Sequence, residues 1–376
     1  MPIDRPFKKE PDFEHFRKVL LRETTLGPVP IVELLVDIEI MEVASGLEAP
    51  IESWADFANM TEEMGPGEME AGIELMDLTI AFHKAIGYDY VPMTPLVPLK
   101  QTAWNRKENP RQGGKVRGWQ EEHRGLITTR DEFEAYSWPA VEEISILPIE
   151  YTVDKIPPGM KQMIFCNGIF EELRNLMGFE TMAIKSIEEP DLLAHILENL
   201  AVLTERAIDL ATAHPSTGAV FYGEDMGFNN STMLHPDFFR EYVLPKHKRF
   251  VEISHKNGKP FIFHSCGKIE ALLEDLIEEV RIDALHSFQD NITPIEEMHR
   301  RYSDRISLLG GVDVDLLARG STDEVRTRTR RILEACTPAG GIMIGSGNSV
   351  TNYCKIENYY AMIDETRRWN EENGYL

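Results

Sequence analysis

Short apolar runs recur along the chain, rich in β-branched or aromatic residues and closing on polar or glycine positions, a pattern that predicts buried strands. Eight segments carry it: Val29–Asp37, Tyr88–Thr94, Lys161–Gly168, Gly218–Asp225, Lys259–Cys266, Ile282–Phe288, Arg305–Asp313 and Gly341–Gly347. Between them the apolar period lengthens to that of a helix. Across 268–280, Ile269, Leu272, Leu273, Leu276, Ile277 and Val280 form one stripe with an acidic outer face. Pro190 suits the first turn of a long helix bearing Leu192, Leu193, Ile196, Leu197 and Leu200. Ser321 and Glu324 form a capping-box pattern that opens a further helix through Leu333.

Strands alternating with helices give parallel pairing through right-handed crossovers. Eight of them predict an α/β fold, a closed (βα)8 TIM barrel with N-terminal and loop insertions. The chain reads as one barrel domain over 1–376, with 38–88 and 95–160 as cap or lid insertions because both exceed an ordinary connection. In such a barrel the site lies at the C-terminal ends of the strands. Those ends are polar here: Asp37, Thr94, Asn167, Glu224 with Asp225, His264 with Cys266, Gln289, Asp313, and Ser346 with Asn348.

Charge narrows the partners. Across 376 residues, 39 Lys and Arg against 63 Asp and Glu leave a net −24, which disfavours holding nucleic acid or a membrane by bulk electrostatics. Residues 100–124 run against the trend, with Lys100, Arg106, Lys107, Arg111, Lys115, Arg117 and Arg124; they read as a solvated loop or as a clamp for an anionic substrate or acidic partner. The first residues lack a signal-peptide core, and no uncharged apolar run is long enough for a membrane helix, so the expected setting is cytoplasmic and reducing. The 4 cysteines, at 166, 266, 336 and 354, are too scattered for a disulfide scaffold and are available as thiols.

The sharpest chemical signal is His264-Ser265-Cys266-Gly267. Positions two apart on a strand share a face, so an imidazole and a thiolate here can form one edge of a zinc site. The bland alternative is a polar strand end with a buried thiol. Glu224, Asp225, His286, Gln289 and Cys354 are candidates for a third ligand; Cys354 is preferred on chemistry, since thiolates suit zinc, although its surroundings read as a helix entry. Glu224 shares a face with Tyr222, while Asp225 belongs to the opposite face or the loop. The candidate catalytic set is His264, Cys266 and Glu224, and the metal set is His264, Cys266 and Cys354. Asn167, Tyr222, Gln289, Asp313 and Asn348 are candidate substrate contacts, with loop fixing the equal alternative for Asn167 and Asp313. Cys166 and Cys336 read as structural. The glycines of Gly345-Ser346-Gly347 read as serving close packing, and no phosphate loop, dinucleotide fingerprint or serine nucleophile elbow is present.

Several segments carry a resemblance: FHSCGKIEALLEDLIEEVRIDAL, ISLLGGVDVDLL, GNSVTNYCKIENYYAMID, GEDMGFNNSTMLHPDFFREYVLPKHKR and GLITTRDEFEAYSWP. From about Phe16 to Arg368 the chain resembles the uroporphyrinogen decarboxylase superfamily, which implies a (βα)8 barrel. True uroporphyrinogen decarboxylases clamp substrate carboxylates with arginines after the first strand. This chain has Glu33-Leu-Leu-Val-Asp-Ile-Glu-Ile40 there, and Pro92-Met-Thr-Pro95 where a central aspartate is expected. The other branch comprises zinc-dependent methyltransferases that move methyl groups between corrinoid proteins and thiols such as coenzyme M. Its His-x-Cys matches His264 and Cys266, whereas its third thiolate falls where this chain has Ser346-Gly347-Asn348, and its metal carboxylate falls near Gln289. The resemblance therefore implies a zinc-dependent, corrinoid (cobalamin)-linked methyltransferase of divergent substrate, with a corrinoid protein and a small-molecule methyl donor or acceptor as partners and a homodimer as a possible assembly. A cofactor-independent decarboxylase and a non-catalytic barrel are the rival expectations.

Overall fold

The computed structural model describes residues 10–51, 66–100, 105–109, 115–119 and 125–376. Seven parallel strands form one sheet in sequential order: β1 (Tyr90–Met93), β4 (Lys161–Asn167), β5 (Thr217–Gly223), β6 (Phe261–His264), β7 (Ala284–His286), β8 (Ser307–Val312) and β9 (Ile342–Ser346). Between β1 and β4 lies an antiparallel pair, β2 (Asn105–Asn109) and β3 (Lys115–Trp119). Every sheet strand falls within a segment that the apolar pattern predicts, except that β5 starts one residue early, at Thr217.

The first predicted strand is the exception, and it corrects the expectation of an eight-stranded ladder. Residues 29–37 pair their backbone with β9 and the segment after it through isolated parallel bridges, Ile31 to Ile344 and Val36 to Val350, and not through a ladder. Pro28 and Pro30 lack the N–H that a regular strand would donate. The edge facing β1 is joined by a side chain instead. The Tyr90 hydroxyl accepts from Glu33 N and donates to Glu33 O, both at 2.8 Å. Gly345 lets the segment close against β9, because a Cβ there would overlap the Val32 carbonyl. The close-packing reading of this glycine is thereby met.

The predicted helices form the outer layer. Pro190–Ala213 buries Leu192, Leu193, Ile196, Leu197 and Leu200. Ser321 caps Thr322–Cys336, and Glu324 returns the bond to the cap backbone. The 268–280 stripe forms a helix over Glu270–Asp275 that widens by one turn through Val280. The stretches 38–88 and 95–160 carry helices Ile38–Ser45, Pro66–Ile86, Arg130–Ala135 and Leu147–Thr152 as well as the β2–β3 pair. In the basic segment, Arg106, Lys107, Lys115 and Arg117 lie on that pair, while Arg111 and Arg124 lie outside the described residues. Among the described residues, no helix is long and apolar enough to cross a membrane.

Which face of each strand points inward follows from ring contacts. Tyr222 packs against Phe250 of the outer helix Leu244–Lys256 and against Phe263, so this parity faces the helices. Phe221, the neighbour of opposite parity, meets the ring of His286 edge-on at 5.6 Å inside the sheet.

Candidate metal centre

At the C-terminal ends of β5 and β6, three donors converge. One ligand atom each of Asp225, His264 and Cys266 lies within 4.8 Å of the others. His264 Nε2 is 3.4 Å from Cys266 Sγ and 3.4 Å from Asp225 Oδ1. A tetrahedral ion held about 2.0–2.2 Å from nitrogen and oxygen and about 2.3 Å from sulfur places neighbouring donors roughly 3.4–3.6 Å apart. Both separations from His264 fit such an ion.

The protein holds each donor in place. Asp225 Oδ1 accepts from Cys266 N at 3.0 Å. Burial pushes the Asp225 carboxyl up, but the facing His264 and the donation from Cys266 outweigh it and hold the group below the usual range. Burial and then the Asp225 charge push the Cys266 thiol well up, against a lowering contribution from Asn348, whose amide donates to Sγ at 3.0 Å. Behind the cluster, His264 Nδ1 lies 2.7 Å from His286 Nδ1, and His286 Nε2 lies 3.2 Å from the Ser346 carbonyl.

A family model described as uroporphyrinogen decarboxylase (URO-D) matches residues 124–369, which span this cluster. The chain belongs to the URO-D family. Within it, the chain is 27% identical over 243 residues to a methylated-thiol–coenzyme M methyltransferase of Methanosarcina mazei, covering 61% of each chain. It is 24% identical over 227 residues to the methylcobamide:CoM methyltransferase MtaA of Methanosarcina barkeri, covering 60% of this chain and 62% of that one. The matches thus span about three-fifths of these relatives' own lengths. A solved methyltransferase from Methanosarcina mazei superposes with a TM-score of 0.66 at 16% identity, covering 96% of this chain and 99% of that one. These are methyltransferases, so the URO-D likeness lies on that branch.

The remaining predicted site residues of this URO-D chain do not all meet at the cluster. Glu224, read as catalytic, points to the helix layer, because it has the parity of Tyr222. Its buried carboxylate accepts from Phe170 N at 3.2 Å, Glu171 N at 2.9 Å and the Tyr222 hydroxyl at 3.1 Å, and it pairs with His247 Nε2 at 2.8 Å. It caps the helix Ile169–Met177, and Asp225 occupies the position toward the cluster. Tyr222, read as a substrate contact, is fully buried on the same outer face, where its hydroxyl also accepts from Ile169 N. Cys354, read as the third ligand, is not in the cluster; its buried thiol lies 3.5 Å from Thr351 Oγ1.

Asp313 is taken up by backbone: it accepts from Asp290 N at 3.0 Å and from Asp315 N at 2.8 Å, capping Val314–Arg319. Asn167 is exposed at the end of β4, where its amide donates to Glu172 at 2.9 Å. Gln289 lines a small cleft with Gly267, Glu270 and Phe288. Asn348 alone of the five substrate candidates touches the cluster, as a donor to sulfur. Burial raises the Cys166 and Cys336 thiols to about 12, consistent with inert packing groups.

Proposed function

We propose that the protein is a corrinoid-linked methyltransferase whose site holds a zinc ion through Asp225, His264 and Cys266, moving a methyl group between a corrinoid protein and a thiol or methylated small molecule. The observation that carries the reading is the convergence of carboxylate, imidazole and sulfur at ion-ligating separations. When bound, zinc would lower the pKa of a coordinated substrate thiol and so supply a thiolate at neutral pH. Three protein ligands leave a fourth position for that substrate.

The residues do the rest. Cys266 must give up its proton to ligate, and Asn348 offsets the charge on its sulfur. His264 ligates through Nε2. Asp225, in the place of a second thiolate, makes the donor set harder than one nitrogen and two sulfurs would be, at the same charge. The seam at 29–37 joins the edges of the seven-stranded sheet into a barrel-like ring, and the stretches 38–88 and 95–160 act as its cap. We assign docking of the corrinoid protein to the basic sequence 100–124.

Metal analysis of the purified protein is expected to give one zinc per chain, lost in His264→Ala, Cys266→Ala and Asp225→Ala and kept in Cys354→Ala. Demethylation of methylcobalamin with a panel of thiols, followed by the cobalamin spectrum, is expected to need the metal. A metal-free protein with full transfer activity would refute the reading, and decarboxylation of a carboxylated substrate without metal would favour the decarboxylase instead.

A further inference from the structure

The donors and acceptors behind the metal cluster place a proton on His264 Nδ1, through a residue the mechanism above does not use. We infer that His286 fixes the tautomer of His264, as a positioning residue that makes His264 carry its proton on Nδ1 and turn the bare Nε2 toward Asp225 and Cys266.

The Ser346 carbonyl can only accept, so His286 Nε2, at 3.2 Å from it, is the donor. His286 is fully buried, with its ring edge-on to Phe221 at 5.6 Å. In the neutral ring that donated N–H is the single proton. Its Nδ1 is therefore a bare acceptor. The 2.7 Å separation from His264 Nδ1 requires one proton between them, and only His264 can supply it. Neutral His264 then has its lone pair on Nε2, the atom 3.4 Å from both Cys266 Sγ and Asp225 Oδ1.

The far end of the relay is anchored as well. Ser346 N donates to Glu33 Oε1 at 2.9 Å, and the Ser346 hydroxyl pairs with Glu33 Oε2, so the carbonyl that orients His286 is held by a buried carboxyl. Gly310 leaves room for the ring: it sits at φ +99°, and a Cβ there would press on His286 Cδ2 and Nε2 and on the Ser346 carbonyl. Outer partners of this kind, which set the tautomer of a ligating histidine, change metal affinity about 10–100-fold when removed.

The metal arm of this inference rests on the zinc reading, whereas the tautomer arm does not. Long-range proton–nitrogen NMR on metal-free, 15N-histidine-labelled protein reads both rings directly, with assignments from His264→Ala and His286→Phe. Neutral His264 is expected as the Nδ1–H form and His286 as the Nε2–H form. In His286→Phe the acceptor is gone: His264 is expected to move toward Nε2–H, and zinc affinity, measured by competition with a chromophoric chelator, to fall about 10–100-fold. In His286→Gln, whose amide can accept from His264 and donate to Ser346, most of both is expected to return. Finding Nε2–H on His264 in the unmodified protein overturns the inference. So does an unchanged tautomer in folded His286→Phe, or equal losses in the Phe and Gln variants. A chain that binds no zinc sinks the metal reading alone, and the tautomers still decide this one.

Discussion

Glu33 lies in the run where true uroporphyrinogen decarboxylases carry substrate-clamping arginines, and here it is wholly enclosed. Burial raises its carboxyl to about 8 despite lowering hydrogen bonds from Ser346, so the folded chain keeps it protonated at neutral pH. Below the unfolded pKa of 4.5 both states hold the proton. From there to about 8 the unfolded chain releases it and the folded chain does not, so stability falls as pH rises and then levels off. Glu33→Gln keeps the acceptor for Ser346 N and removes the titration. Denaturant unfolding at pH 5 and pH 8 is expected to show a loss of about 3–5 kcal/mol in the parent that is largely absent in the variant. Equal pH dependence in the two would mean that Glu33 ionises in the folded state.

At the scale of elements, two joints depend on side chains standing in for backbone. Tyr90 replaces the ladder between the 29–37 segment and β1, since its hydroxyl serves both the N–H and the C=O of Glu33. Tyr90→Phe leaves two buried backbone groups unpaired and is expected to cost about 2–4 kcal/mol by denaturant titration. Glu224 joins β5 to the N-terminus of Ile169–Met177, where it accepts from two of the first N–H groups of the helix. Glu224→Ala strands its donors and is expected to cost at least about 3 kcal/mol, while the folded fraction keeps its zinc. Asp225→Asn is expected to do the reverse, losing zinc with little loss of stability. Zinc lost equally from both variants would return Glu224 to the site.

For the whole molecule, the sheet is continuous from β1 round to β9, and the weak place is the seam between them. Amide exchange by mass spectrometry is expected to be faster in peptides covering 31–37 than in those covering β5 or β8, because isolated bridges protect fewer amides than a ladder does. Equal protection would indicate a full eighth strand.

Strand–helix order, the His264–Cys266 pair and the capping of Thr322–Cys336 were legible along the chain, because each depends on neighbours a few residues apart. The shared parity of Tyr222 and Glu224 was legible for the same reason. Which side of the sheet that parity faces was not, because a parallel strand is covered on both faces and its sequence is apolar either way. The order Tyr222, Gly223, Glu224, Asp225 accordingly looks the same whether the glutamate or the aspartate turns inward, and only the packing of Tyr222 against Phe250 settles it. Cys354 was attractive because thiolates suit zinc, yet ligation needs proximity in space, and that depends on how β9 and the turn after it fold over the sheet. The sequence by itself determined the order of elements and the pair of donors at one strand end. The tertiary structure decided the third donor, the histidine behind the first, and the tyrosine that closes the seam, since each joins positions from 22 to 57 residues apart or two adjacent strands whose inward face no local pattern specifies.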